Sequence, residues 1–343
     1  MSEPLNPYAA LYDAPAKGPG DARPTAMQVV KDNDALGTWQ GRVALVTGGT
    51  SGIGIPTAQA LHATGADVYF TARDLKKAEP ILEQIRKESP GKGKIEVVLM
   101  DMDSLESVKE AAYTFLSLSG GKLNVLVNNA GVMAPPKSAT REGFELQFGV
   151  NHLAHFVLTA LLLPALAKSS TPDFNSRVVN VSSSAHRYSS LVWDDINLDK
   201  PGAYQPYVGY GQSKTANIWM ANYIDRVFGP LGVHATSVHP GAIWSGLYVH
   251  ADEATKQRWA ANPTIMDEMQ TPEQGAATSL WAVVGKVWEG QGGKYLATCR
   301  VAPPTDDFTS VLNKGVAPHA YDVEGEDRLW KLSEQLTGVR AAL

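Results

Sequence analysis

The chain has 343 residues, with 30 Lys+Arg against 35 Asp+Glu, 8 His, a formal charge of −5 and a single cysteine, Cys299. With 44% hydrophobic and 19% charged residues it can bury a large core, which excludes disorder throughout and fits one α/β domain with extensions. One cysteine makes neither an internal disulfide nor a Cys-rich zinc site, so a reducing, cytoplasmic setting is expected, and the mild acidity leaves no basic footprint for nucleic acid.

Prolines 4, 7, 15, 19 and 24 with Gly18 and Gly20 open the chain. That mixture blocks helix and sheet hydrogen bonding and predicts a mobile or surface-wrapping arm over residues 1–38. The first residues lack the basic and apolar regions of a signal, and the longest apolar run, 156–167, is too short to span a bilayer. No membrane anchor is expected. From Arg42 onward, short Val/Ile/Leu runs at 43–46, 68–70, 95–100, 125–127, 178–181 and 234–238 read as buried parallel strands. Between them, 81–87, 105–118, 148–166 and 210–227 have helical spacing and are long enough for right-handed crossovers. No repeat or linker divides 42–300. The expectation is a single doubly wound parallel sheet, a Rossmann α/β fold over 39–301, with 302–343 as a C-terminal helical extension packing on the same domain.

After the first strand comes Thr47-Gly48-Gly49-Thr50-Ser51-Gly52-Ile53-Gly54, then a helical pattern. Glycines 48, 52 and 54 permit a tight turn and close backbone approach to a pyrophosphate, met by amides at the next helix N-terminus. At the end of the second strand, Thr71-Ala72-Arg73-Asp74 puts alanine where a ribose-binding carboxylate would stand. Without that charge a 2′-phosphate is tolerated; Arg73 offers it a bidentate guanidinium, and Lys77, one turn on, a second positive charge. NADP(H) is therefore preferred to NAD, with Asp74 a mild counter-argument, and the other reading of Arg73 and Lys77 is as solvated helix-start residues.

The motifs Thr47-Gly-x-x-x-Gly-x-Gly54, Asp101, Asn128-Asn129-Ala130-Gly131, Asn151, Ser182-Ser183, Tyr210-x-x-x-Lys214 and Pro240-Gly241 occur in that order. Over residues 42–301 the chain resembles the short-chain dehydrogenase/reductase superfamily. The resemblance implies an Asn151-Ser183-Tyr210-Lys214 tetrad. Tyr210 would exchange a proton with the reacting oxygen, and Lys214, on the same helix face, would lower its pKa from near 10 and reach the nicotinamide ribose. Ser183 would hold the reacting oxygen, its neighbours being turn hydroxyls, and Asn151 would hold a water linking Lys214 to solvent. The family pattern puts Asp101 and Met102 beside the adenine and Asn129, Ala130 and Gly131 along the adenosine ribose. Pro240, Gly241, Ile243 and Ser245 fold over the nicotinamide, Ser245 being alternatively a helix cap.

Between Ser183 and Tyr210 lie 26 residues, an insertion expected to border the substrate. Together with Tyr210-Gly-Gln-Ser-Lys-Thr-Ala-Asn217 it looks like the retinol-dehydrogenase and WW-domain-oxidoreductase branch, in a soluble form. Trp193, Tyr204, Tyr207, Trp244 and Tyr248 line an apolar pocket or belong to core and lid. His152 and His155 stand three apart with no third ligand in view, so no metal is expected. The chain lacks a serine-hydrolase elbow and a nucleoside-triphosphatase loop. The reading is an NADP(H)-dependent carbonyl reductase, interconverting an apolar or aromatic small-molecule ketone or aldehyde with its alcohol, with reduction the favoured direction. The alternatives are an NADP(H)-binding regulatory protein without turnover, or a cofactor-assisted epimerase or cyclase. A homo-oligomer would pair through the helices at 148–166 and 210–227.

Overall fold

A computed structural model describes residues 5–251, 253–308, 310 and 312–342. The strands are β1 (Val43–Val46), β2 (Asp67–Ala72), β3 (Ile95–Leu99), β4 (Val125–Asn128), β5 (Ser176–Val181), β6 (Val233–His239), β7 (Ala242–Ile243), β8 (Met269–Gln270), β9 (Tyr295–Ala297) and β10 (Arg300–Val301). The first helices are α1 (Ala9–Asp13), α2 (Ala26–Asp32), α3 (Gly54–Ala63), α4 (Leu75–Glu88), α5 (Leu105–Leu118), α6 (Leu146–Phe148) and α7 (Ala154–Ser169). Then come α8 (Pro206–Phe228), α9 (Glu253–Ala260), α10 (Pro263–Glu268), α11 (Pro272–Gly275), α12 (Ala277–Val284) and α13 (Val323–Thr337).

The main sheet runs β3-β2-β1-β4-β5-β6-β9-β10, parallel throughout except that β10 is antiparallel to β9. β1 pairs with both β2 (Ala44 opposite Val68) and β4 (Ala44 opposite Val125), so the strand order reverses between β1 and β4. That reversal leaves a crevice at the carboxyl ends of the strands, where the loops after β1, β2, β4, β5 and β6 converge. Alternate residues of β1 serve opposite faces: Ala44 and Val46 pack in the layer of α2, α3 and α12, Leu45 in that of α5, α7 and α8. Both faces are covered, which is why the strands read as continuous apolar runs.

The short β9 and β10 extend the sheet beyond the sixth predicted strand. They are three and two residues long and carried no readable period.

The arm is folded rather than irregular. Its prolines at 7, 15, 19 and 24 fall outside α1 and α2, and Thr25 caps α2 by accepting from Gln28 N at 3.2 Å. Ala26, Val29 and Val30 are buried against α3 and α12.

α6 and α7 are one helix, Leu146–Ser169, continuous through a π-helical turn at Gly149–Leu153. At 24 residues it exceeds the apolar run seen in sequence and is long and apolar enough to cross a bilayer, yet 83% of its apolar window is buried inside the protein. α13 packs across this helix and α8: Trp330 of α13 stacks on Tyr223 of α8 at 4.3 Å and meets Phe156 of α7 edge-on at 4.9 Å.

Candidate active site

The crevice is a cleft of about 750 Å³. Its walls include Gly48, Thr50, Ser51, Gly52, Ile53, Arg73, Asp101, Met102, Asn129, Ala130 and Gly131 toward one end. Ser183, Tyr210, Lys214, Pro240, Gly241, Ile243 and Ser245 line the rest. Three expected residues do not face it. Gly54 lies beneath the turn as the first residue of α3, Asn151 lies behind Gly131, and Lys77 is exposed on α4.

The turn after β1 needs its glycines. Gly48 and Gly52 have φ of +69° and +54°, and a Cβ on Gly54 would lie 2.1 Å from the Gly48 carbonyl oxygen. Thr47 holds the neighbouring loop, its hydroxyl accepting from Asn129 N (2.8 Å) and Ala130 N (2.9 Å). At the end of β2, Ala72 and Arg73 line the cleft, while Asp74 is spent capping α4 through Lys76 N at 2.9 Å. The Asp101 carboxylate is paired with Arg141 at 2.8 Å.

Among the three consecutive serines, Ser183 lines the cleft with Tyr210, where its hydroxyl favours the ionised phenol, and it accepts from Ala185 N at 3.2 Å. Ser182 instead donates to the Lys214 carbonyl at 2.8 Å. Ser183 starts a 3₁₀ turn, Ser184–Tyr188, that two residues unread in the sequence secure. His186 donates from Nδ1 to Ser183 O (2.7 Å) and accepts from Ala317 N at Nε2 (3.1 Å). Arg187 donates to Asp307 O and Ser310 O at 3.1 and 3.0 Å, tying a C-terminal loop to this turn. Ser245 does both things open to it, lining the cleft opposite Gly52 and capping Gly246–His250 through Leu247 N.

Tyr210 and Lys214 lie on one face of α8, both buried, with Lys214 Nζ 5.5 Å from the phenol ring centre. Burial governs both groups. It raises the Tyr210 phenol above its ordinary value, against the depression expected from the lysine, and lowers Lys214 to about 7. Lys214 donates to Val181 O at 3.0 Å. A Cβ on Gly131 would sit 3.1 Å from Asn151 Oδ1 and 3.6 Å from Lys214 Nζ, so a side chain here would crowd Asn151.

The Asn151 side chain is fully engaged by protein. Its Oδ1 accepts from Val132 N (2.8 Å), and its Nδ2 donates to Val132 O and Ser213 Oγ, each at 2.9 Å. It ties Val132, next to the Asn129–Gly131 loop, to Ser213 of α8. His155, set aside in the sequence as packing, bonds Thr47 Oγ through Nε2 (2.8 Å) and Asn151 O through Nδ1 (2.9 Å). His152 turns the other way, to Ser333 Oγ at 2.8 Å. The described residues contain no cluster of three or more His, Cys, Asp or Glu side chains that could hold a metal ion.

The aromatic residues divide between the two expected places. Tyr207, Trp244 and Tyr248 line the cleft with Tyr188, Trp259 and Ile265. Trp193 stacks on Trp219 at 5.8 Å beneath Arg328, and Tyr204 donates to Pro135 O at 2.7 Å, so these two belong to the scaffold.

A doubly wound sheet with a glycine turn at its switch point and a Ser-Tyr-Lys cluster in the same cleft defines a dinucleotide-dependent oxidoreductase architecture. The short chain dehydrogenase family model matches residues 42–195. The chain is 48% identical over 316 residues to short-chain dehydrogenase/reductase prx1 of Penicillium roqueforti, covering 92% of this chain and 91% of that protein. It is 36% identical to human polyprenol dehydrogenase, covering 87% and 86%. The Pseudomonas aeruginosa RhlG/NADP active-site complex superposes with a TM-score of 0.60 at 26% identity, covering 77% and 96%. The chain belongs to the short-chain dehydrogenase/reductase superfamily, whose members are oxidoreductases that bind a nicotinamide cofactor.

Proposed function

We propose that this protein is an NADP(H)-dependent oxidoreductase that interconverts a ketone or aldehyde with its alcohol on an apolar or aromatic small molecule. The observation that carries the reading is that Ser183, Tyr210 and Lys214 line the same cleft as the glycine turn.

The glycine turn and Gly131 fit the backbone-hugging path of a dinucleotide, and the nicotinamide ring supplies or accepts the hydride when bound. This chain's residues do the rest. Burial keeps the Tyr210 phenol protonated at neutral pH, the form needed to give a proton to a carbonyl oxygen in reduction. Ser183 donates to that oxygen as charge develops on it, and Lys214, with its affinity for a proton near neutrality, moves a proton to or from the phenol side. Asn151 and Ser213 fix the loop and helix on which these groups stand.

Support for the 2′-phosphate form comes from Ala72 and Arg73 in the cleft, with Asp74 turned to its cap, and from the NADP complex of a structural relative. Arg73 carries this role without Lys77. Support for an apolar substrate comes from Tyr188, Tyr207, Trp244, Leu247 and Trp259 on the cleft wall. Human polyprenol dehydrogenase, named for a long apolar alcohol, is a relative along most of the chain.

The test is a titration with NADPH and NADH followed by a panel of carbonyl compounds at 340 nm, with Tyr210→Phe alongside. NADPH should bind more tightly, at least one apolar carbonyl should oxidise it, and Tyr210→Phe should lose roughly 10²- to 10⁴-fold in kcat while still binding NADPH. Cofactor binding without oxidation by any carbonyl would overturn the reading in favour of a protein that only binds NADP(H).

A further inference from the structure

We propose that the N-terminal arm is a brace for the segment closing over the substrate end of the cleft, with Arg23 as the positioning residue. The proposal rests on the functional reading only for what that end of the cleft receives.

The segment from Gly246 to Glu268 forms a 3₁₀ turn, α9 and α10, and brings Trp259 and Ile265 to the cleft wall. Neither α9 nor α10 has a buried residue, so little packing fixes their position. Trp259 of α9 meets the rings of Trp244 and Tyr248 at 6.4 and 5.7 Å. One end of the segment follows directly from β7, and the other is held by the arm, with Lys314 adding an ion pair to Glu268 at 3.0 Å.

Arg23 is 5% exposed and stands just before α2, which is itself sunk against α3 and α12. Its guanidinium reaches the end of α10. Nη1 donates to Glu268 O at 2.9 Å, and Nη2 donates to Met269 O at 2.7 Å, Asp267 O at 3.2 Å and Gly18 O at 3.3 Å. Nε donates to Asp21 Oδ1 at 2.8 Å, which fixes the plane of the fork. Carbonyls at a helix C-terminus lack partners within the helix and carry the negative end of its dipole, so a buried cation suits them on both counts. Gln274 completes the clamp: Oε1 accepts from Gly20 N (2.9 Å) and Nε2 donates to Arg23 O (3.1 Å). Gly18 N donates to Asp267 O at 2.8 Å.

The clamped residues lead straight into the cleft. Met269 lines it, and β8 pairs with β7, Met269 opposite Ala242 and Gln270 opposite Ile243. Arg23 touches nothing in the dinucleotide half. Its removal should therefore loosen the closing segment and, through β8, the Ala242–Ile243 strand paired with it, while leaving the glycine turn and the Asn129–Gly131 loop as they are.

The experiment compares the full chain with Arg23→Met and Arg23→Lys by amide hydrogen exchange, NADPH fluorescence titration and steady-state kinetics, with 4-nitrobenzaldehyde as carbonyl probe. In Arg23→Met, exchange over 262–270 should quicken by roughly 10- to 100-fold, with β4 and β5 unchanged. KM for the aldehyde should rise by about tenfold with kcat held within about threefold, and NADPH affinity should fall by less than KM rises. Arg23→Lys keeps the charge without the fork and should fall between the two; it also serves if Arg23→Met does not fold. Unchanged exchange over 262–270, a uniform rise along the whole chain, or lost NADPH affinity with KM unchanged would overturn the proposal. If the wild-type protein reduces no carbonyl, the functional reading fails and the exchange and titration results still decide the brace.

Discussion

Replacing His155 with leucine tests whether the buried chain Asn129/Ala130–Thr47–His155–Asn151 holds the cofactor loop to the long central helix. The proton count is fixed by geometry. Thr47 Oγ accepts two amides, so its hydrogen goes to His155 Nε2, and the ring proton must sit on Nδ1, donating to Asn151 O. Leucine leaves the Thr47 hydrogen without an acceptor, costing about 1–3 kcal/mol, and removes a second bond worth about 0.5–1.5 kcal/mol. Urea unfolding at pH 7 should show a loss of roughly 2–4 kcal/mol. Acid provides a second arm. Burial lowers His155 to about 4, so the folded protein binds its proton less readily than the unfolded chain. Its stabilising effect is whole above the unfolded value near 6.5 and is lost as pH falls toward 4, by roughly 2 kcal/mol at pH 5. The leucine variant has no such loss, so the gap between the two proteins should narrow by about that amount at pH 5. A loss below about 1 kcal/mol at pH 7, or a gap that stays constant between pH 7 and 5, would refute the reasoning.

Arg73→Ala should weaken NADPH binding by roughly 10- to 100-fold and change NADH binding by less than about threefold, read from the two fluorescence titrations. Gly54→Ala drives a methyl into the Gly48 carbonyl, so both dinucleotides should lose more than about tenfold in affinity in the same assay.

Much of this architecture was legible because its signals are local. The strands from β1 to β6 carry short apolar runs that announce themselves, and the glycine turn falls between a strand and a helix as its backbone demands. The helix at Leu105–Leu118 matches its apolar spacing to the residue. What failed was set by distant partners. The arm's prolines suggested irregular chain, yet they punctuate two helices whose apolar residues find α3 and α12. Whether Trp193 and Tyr204 were pocket or core rings stayed open in the sequence, because their neighbours Trp219 and Pro135 lie far off along the chain. Lys77 shares a helix start with Arg73 but points to solvent, and the Tyr210–Lys214 spacing gave the shared face without revealing that desolvation outweighs their attraction. His155 was visible as a residue, but nothing at its position showed Thr47 as its partner.

The π-helical turn at Gly149–Leu153 carries a consequence for the phase of the helix that contains it. Such a turn takes up one residue more than regular winding within a single turn, so the segments on either side keep the phase of an uninterrupted helix. Deleting one residue within Gly149–Leu153 should restore regular winding and leave Leu146 on the cleft wall and Gln147 bonded to Ala134 N at 2.8 Å, whereas the same deletion within Ala154–Ser169 should turn one half by about 100° against the other. Of the single-residue deletions along this rod, one inside the π turn should disturb the packing of its two ends least.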